Sequence, residues 1–351
     1  MNKTLLITGG AGFVGSNLAV FIKQRWTDCR VVCLDNLHRA GSELNLARLQ
    51  DAGIEFVRAD IRHKDQLLVL PKIDYLIECS AEPSVLKSYE DPAYTIDTSL
   101  NGTLNCLELA RRDRAHVIYL SSSRVYPYDA LNQVPYEETP TRFDWMQKQG
   151  AGYSRAGVTL DFSIYGAKSL YGATKLASEL LLTEYMDMYG IRGVINRFGV
   201  IAGAWQMGRI DQGIIGFWIL QHLLGRPLGY IGFGGTGKQM RDALHIDDVC
   251  ELIFYQMEHI HSCSGRVYNA GGGRANTFSL MELTAMVSRI TRRTVEVRSV
   301  PEQRKGDVRI YLTDNQAVTE KTGWSPKKDL KTICADTFQW MGPFKERLSD
   351  I

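Results

Sequence analysis

No stretch of this 351-residue sequence comes near the ~20 uninterrupted apolar residues that a membrane-spanning helix needs, so no membrane partner is expected. Dense runs of lysine and arginine are also missing. With 41 Lys+Arg against 39 Asp+Glu, the formal net charge is +2, too small to hold nucleic acid or an acidic surface. The seven cysteines (29, 33, 79, 106, 250, 263 and 334) include no Cys-x-x-Cys and are odd in number. They read as reduced, mostly buried thiols of a cytoplasmic protein, not as a disulfide framework or a zinc site. The first residues run directly into a strand and a glycine turn, without a basic segment followed by an apolar one, so secretion is not expected. Internal repeats and low-complexity tracts are absent.

What is there fits a folded chain: 44% apolar and 23% charged residues, over a length sufficient for one large core or two. Runs rich in β-branched or aliphatic residues at 4–8, 30–34, 55–58, 75–78, 117–120 and 193–196 predict strands, and helical patterns fill most of the gaps. Short apolar strands alternating with helices imply an α/β fold with a doubly wound parallel sheet, whose ligands bind at the carboxyl ends of the strands. From about residue 198 the alternation gives way to glycine turns, aromatics and helices near 243–260, 278–292 and 329–347. Residues 1–197 are therefore expected to form mainly a cofactor domain, and 198–351 mainly a smaller mixed substrate lobe interleaved with it. The segment from Pro127 to Ser169 shows little periodicity and is expected to be a loop that covers substrate.

Tyr171 and Lys175 stand four residues apart, which on a helix puts both side chains on one face. An ammonium at that distance favours phenolate over phenol and makes a tyrosine usable as a general base. Ser122, at the end of the fifth strand, can hold the alcohol being oxidised. Gly9, Gly12 and Gly15 follow the first strand and open a helix through Phe13 and Val14, a turn in which backbone can approach a pyrophosphate. Asp35, twenty residues after Gly15 and next to Asn36, can accept hydrogen bonds from ribose hydroxyls, which favours NAD over NADP; Arg39 close by leaves the phosphorylated cofactor open. Asp60 and Ile61, after the third strand, suit the adenine edge.

With these residues in place, the chain resembles the extended short-chain dehydrogenase/reductase family, the Rossmann-type nucleotide-sugar epimerases and dehydratases. The glycine turn, the run Ser121-Ser-Ser-Arg-Val-Tyr126, the Tyr171/Lys175 pair and Arg241-Asp-Ala-Leu-His245-Ile-Asp-Asp248 carry the resemblance. It implies Ser122 beside the substrate, Tyr171 as base and acid, and Lys175 as the group that tunes the tyrosine and holds the nicotinamide ribose. It further implies NAD contacts from Cys79, Ser80, Ala81, Ser99 and Gly199. Substrate contacts would come from Glu82, Ser123, Gln212, Gln239, Arg241 and Arg304, the two arginines meeting the nucleotide phosphates. Homodimers would form through helices near 92–112 and 172–189. The sequence departs from the family pattern at Glu78, where histidine is usual, at Ser99, where asparagine is common, and at Arg197-Phe-Gly-Val200.

Within the family, Leu160-Asp-Phe162, Asp211-Gln-Gly213 with the following Ile-Ile-Gly-Phe-Trp218, and Gly237-Lys-Gln-Met-Arg-Asp242 are most similar to enzymes that invert carbon 2 of CDP-linked deoxyhexoses. A UDP-sugar 4-epimerase and a sugar 4,6-dehydratase are the alternatives of the same fold. Ser123 and Arg124 stand where a dehydratase carries acid/base carboxylates. A dinucleotide sensor without catalysis would have no need of Ser122, Tyr171 and Lys175 together.

Overall fold

A computed structural model describes residues 3–147, 149–208 and 212–349. The chain forms two units, each assembled from separated stretches: Met1–Val125, Ser169–Arg197 and Cys250–Val267 in the first, Tyr126–Lys168, Phe198–Val249 and Tyr268–Ile351 in the second. Relative to a division at residue 197, Cys250–Val267 returns to the first unit and Tyr126–Lys168 goes to the second.

In the first unit, β1 (Thr4–Thr8), β2 (Arg30–Asp35), β3 (Glu55–Arg58), β4 (Tyr75–Glu78) and β5 (His116–Ser122) join Gly193–Phe198 and Arg266–Ala270 in a seven-stranded sheet. The order is Arg266–Ala270, Gly193–Phe198, β5, β4, β1, β2, β3, and the pairs β1–β2, β1–β4, β2–β3 and β4–β5 are parallel. Runs such as Leu5-Leu6-Ile7 and Val31–Leu34 are buried throughout, as parallel strands covered on both faces require. The helices Gly102–Asp113 and Ser169–Tyr189 contribute Cys106, Leu107 and Leu182 to a core with Leu6, Leu76, Val117 and Tyr119. Each such aliphatic side chain contributes roughly 1.5–3 kcal/mol by leaving water. Strand order reverses between β1 and β4, so a crevice opens beyond their carboxyl ends. The expected doubly wound fold is present. Its seventh strand, Arg266–Ala270, lies past the point where the alternation fades and carries little β-branched sequence.

The second unit holds a three-stranded sheet of Val200–Ala202, Met240–His245 and Thr277–Ser279, with Leu228–Ile231 paired to Val297–Val300 beside it. Helices Ile214–Leu224, Leu280–Thr291 and Leu330–Met341 pack on one another. Leu280–Thr291 starts with a capping box in which Ser279 and Glu282 satisfy each other's backbone N–H.

The segment expected to be an irregular loop is ordered instead. It contains the helix Tyr128–Gln133 and two hairpins, Tyr136–Glu138 with Phe143–Trp145 and Tyr153–Ser154 with Gly157–Val158. Strands of two or three residues are too short to display an alternation. Long-range ion pairs hold the first hairpin, Arg142 forking onto Glu282 and Arg274 onto Asp144, while Val158 of the second exchanges backbone hydrogen bonds with Leu312 and Asp314. Among the described residues, no helix is long and apolar enough to cross a membrane.

Candidate active site

The first unit brings the expected Ser, Tyr and Lys residues to the carboxyl end of its sheet. Ser122 closes β5, and its Oγ accepts from Arg124 N at 3.2 Å in the tight turn Ser123–Val125. Tyr171 and Lys175 lie one turn apart in Ser169–Tyr189, whose start is fastened by Gly172 N donating to Ser169 Oγ at 3.2 Å. Gly172 sets the approach: a Cβ there would lie 2.1 Å from the Arg124 carbonyl oxygen, so the helix can touch the turn after β5 only because the residue is glycine.

Lys175 is buried, with Ser80 O at 3.5 Å, Glu78 Oε2 at 3.7 Å and the Tyr119 ring centroid 4.6 Å from its Nζ. Burial works against its charge, but Tyr119, Glu78 and Tyr171 outweigh that and hold the ammonium above the ordinary lysine value. The phenol of Tyr119 is itself pushed up by burial, which keeps it neutral.

The glycine turn is equally constrained. Gly9 has φ +61°, and a Cβ on Gly15 would come within 2.3 Å of the Gly9 carbonyl oxygen. Phe13 and Val14 open helix α1 (Phe13–Arg25), whose first turn carries no side-chain cap and no acidic residue. Asp35 accepts from Ala11 N at 3.1 Å and Leu37 N at 2.8 Å, tying this turn to β2, and burial pushes its carboxyl up. A crowded glycine turn, an uncapped helix start and a carboxylate beside them fit the pyrophosphate and ribose of a dinucleotide. Asn36 donates to Asp60 at 3.0 Å. Burial opposes ionisation of Asp60, yet Arg62 and Asn36 hold its carboxyl well below the usual range.

The remaining residues expected at the cofactor and substrate have defined settings in the first unit. The Ile61 side chain is in the core against Gly102, and its carbonyl accepts from Asn105. Ser99 is wholly buried in a π-helical turn, Asp97–Asn101; its Oγ accepts from Glu82 N and its carbonyl from Ser178 Oγ. Cys79 and Ser80 line the approach to Gly9, followed by Ala81. Glu82 Oε1 accepts from Ser84 N, shaping the entry to the helix Val85–Glu90.

In the second unit, Gly199 donates to Ala270 O and abuts Thr313 and Asp242. Arg241 directs its guanidinium at the carbonyls of Met240 and Val308. Arg304 lines a cavity of about 270 Å³ together with Lys305, Gln303, Tyr128 and Asn132. Gln239 is buried; its Nε2 donates to Ile231 O, and its Oε1 has no partner among the described residues. Gln212 follows Asp211, which lies outside the described residues. The near-repeat Tyr165/Lys168 precedes the helix Ser169–Tyr189: Tyr165 is 87% exposed and Lys168 Nζ donates to Gly166 O. His245 Nδ1 accepts from Asp247 N, a local fastening.

Residues 5–271 match the NAD-dependent epimerase/dehydratase family. This chain belongs to that family. Like it in sequence are CDP-paratose 2-epimerase of Salmonella typhi, 32% identical over 96% of this chain and 98% of the relative, and a putative UDP-glucose 4-epimerase of Methanocaldococcus jannaschii, 29% identical over 96% and 98%. A UDP-glucuronic acid 4-epimerase of Bacillus cereus, solved with UDP-glucuronic acid and NAD, shares the fold at TM-score 0.81 and 24% identity, over 97% of this chain and all of that one.

As a member of the NAD-dependent epimerase/dehydratase family, the chain carries two arrangements that sequence reading missed. Glu179, one turn beyond Lys175, is buried and takes both Arg197 Nη2 (2.7 Å) and Ser121 Oγ (2.5 Å), binding the helix to β5 and to Gly193–Phe198. Its i+4 spacing from Lys175 was the available signal. The other is Glu78, noticed only as a departure from pattern. Its Oε1 accepts from Ser80 N at 2.9 Å and Thr8 Oγ1 at 3.4 Å, and its Oε2 faces Lys175.

Proposed function

We propose that this enzyme inverts carbon 2 of a CDP-linked deoxyhexose of the paratose/tyvelose type. The reading rests above all on the 32% identity, over nearly the whole of both chains, to a protein named CDP-paratose 2-epimerase. The segments Leu160-Asp-Phe162 and Gly237–Asp242 support it. In a 3,6-dideoxyhexose, carbon 3 bears no hydroxyl, so a ketone at carbon 4 would acidify carbon 3 and leave carbon 2 untouched. Inversion there calls for oxidation of carbon 2 itself.

In this reading Tyr171 Oη takes the proton of the carbon 2 hydroxyl, Ser122 Oγ holds the oxygen while its charge changes, and Lys175 keeps a positive charge beside the phenolate. NAD, when bound, supplies reversible hydride acceptance, so no external reductant is consumed. Tyr171 Oη returns the proton after the 2-keto sugar has turned its other face. Gly9, Gly12 and Gly15 would hold the pyrophosphate and Asp35 the ribose. In the second unit, the cavity beside Arg304 and Lys305 is assigned to a phosphate-bearing group. Leu104 and Leu180, exposed on the helices Gly102–Asp113 and Ser169–Tyr189, support a homodimer. Seven cysteines without a disulfide suit the reducing cytoplasm.

A 4-epimerase acting on a UDP-sugar is the second reading, favoured by the 29% identical relative of that name. One experiment separates them: CDP- and UDP-sugars are incubated with the protein in deuterium oxide, without added cofactor, and followed by NMR. A carbon 2 epimer of a CDP-sugar without deuterium at that carbon is the expected product. A carbon 4 epimer of a UDP-sugar would overturn the assignment, and deuterium at the inverted carbon would replace hydride transfer by enolisation.

A further inference from the structure

Lys175 stands in a setting that its proposed role does not account for. Its ammonium has three N–H donors, and they meet Ser80 O at 3.5 Å and the side chains of Tyr119 and Glu78. Its counter-charge is Glu78, 0% exposed, at 3.7 Å. Burial pushes the Glu78 carboxyl up, and Lys175 opposes that, joined from the far side by Ser80 N and Thr8 Oγ1, two donors that favour a carboxylate over a carboxylic acid. No other acidic side chain lies within ion-pair distance of Lys175 among the described residues. The groups around the pair are Tyr119 from β5, Tyr171 from the same helix as Lys175, and Cys79 and Cys106, with Glu179 felt through Tyr119.

We propose that Glu78 is the counter-ion of Lys175 and, by dividing its field, sets the pH range in which Tyr171 works as a base. Glu78 is a positioning residue: it acts through Lys175 and touches no reacting atom. The inference rests on the assignment of Tyr171 as base. An ammonium beside a carboxylate acts outward nearly as a dipole, so Tyr171 receives less stabilisation of its phenolate than from a lone Lys175. Removing the carboxylate charge has two consequences of the same direction. The phenolate forms at lower pH, and the ammonium is lost at lower pH.

The test is the pH profile of kcat for E78Q and E78D beside the parent enzyme, with NAD affinity measured by calorimetry. E78Q is expected to move both limbs to lower pH by about one unit, while E78D, which keeps the charge, leaves them within ~0.3 unit of the parent. Unmoved limbs in a folded E78Q overturn the proposal. Equal shifts in E78Q and E78D overturn it too, because they would trace to packing and not to charge, as would a loss of NAD binding in E78Q with no shift of the limbs. Should E78Q fail to fold, T8V withdraws one donor from the carboxylate and is expected to move the acid limb the same way; no movement refutes the idea. Y171F guards the underlying assignment: if it turns over like the parent, Tyr171 is not the base, whatever Glu78 does.

Discussion

Gly172 and Arg124 stand so close that the helix bearing Tyr171 rests directly on the backbone that follows Ser122. The contact is between main chains, which cannot swing aside as a side chain can. G172A is therefore expected to lift the first helical turn and displace Tyr171. Misplacement by about 1 Å costs on the order of 100-fold in kcat. Steady-state kinetics with circular dichroism checks this, and a G172A enzyme with parental kcat would show that the contact positions nothing.

Gly15 offers a parallel case at the other end of the proposed site. A methyl group 2.3 Å from the Gly9 carbonyl forces the glycine turn open. G15A should weaken NAD binding by at least ~10-fold, about 1.4 kcal/mol, as read by calorimetry, while the thermal transition moves far less than the affinity.

Arg304 and Arg241 are expected to separate. R304A should raise KM for the nucleotide sugar with kcat little changed, the mark of lost uniform binding. R241A should lower the melting temperature, because its guanidinium is joined to the carbonyls of Met240 and Val308. Parallel kinetics and melting curves decide it. The reverse pattern would exchange the roles of the two arginines.

The buried Glu179–Arg197 pair predicts a stability loss with a defined signature. R197A leaves a carboxylate buried without its main partner, a change that costs about 3–5 kcal/mol. Urea unfolding should show the loss, and E179A combined with R197A should lose less than the sum of the single variants.

Glu282 ties the Phe143–Trp145 hairpin to its unit by a charge that acid removes. Burial opposes its ionisation, but Arg142, Thr141 and Ser279 N prevail and depress its carboxyl below the ordinary value. A depressed folded-state value means that the stabilisation is present above the unfolded carboxylate range near ~4.3 and is lost as pH falls through the folded one. The melting temperatures of parent and E282Q should differ at pH 7 and converge toward pH 3.

What could be read in advance follows the range of each interaction. Tyr171 and Lys175 were legible because helical spacing is local, and β1, β2, β4 and β5 because strands buried on both faces appear as unbroken apolar runs. Residues 127–168 were not, since their short strands are held by distant partners: Arg142–Glu282 and Arg274–Asp144 at one hairpin, and the backbone of Leu312 and Asp314 at Val158 in the other, each more than a hundred positions away. Arg241 and Arg304 are the same residue type in similar sequence surroundings. Only the fold reveals that one binds its own main chain and the other faces a cavity. Glu78 showed itself as an unusual residue, but its ion pair with Lys175 joins two positions that no spacing rule connects.

The first unit closes with Cys250–Val267, and Arg266–Ala270 supplies the edge of its sheet. A ribosome translating this message must therefore pass residue 270 of 351 before the cofactor-binding sheet has its full set of strands. Until then β5 and its neighbours leave the tunnel with an open flank, a template for unwanted pairing. Neither unit can be excised as a continuous gene fragment, and a nonsense mutation anywhere before that point leaves a nascent chain for chaperones and proteases to handle instead of a truncated cofactor binder.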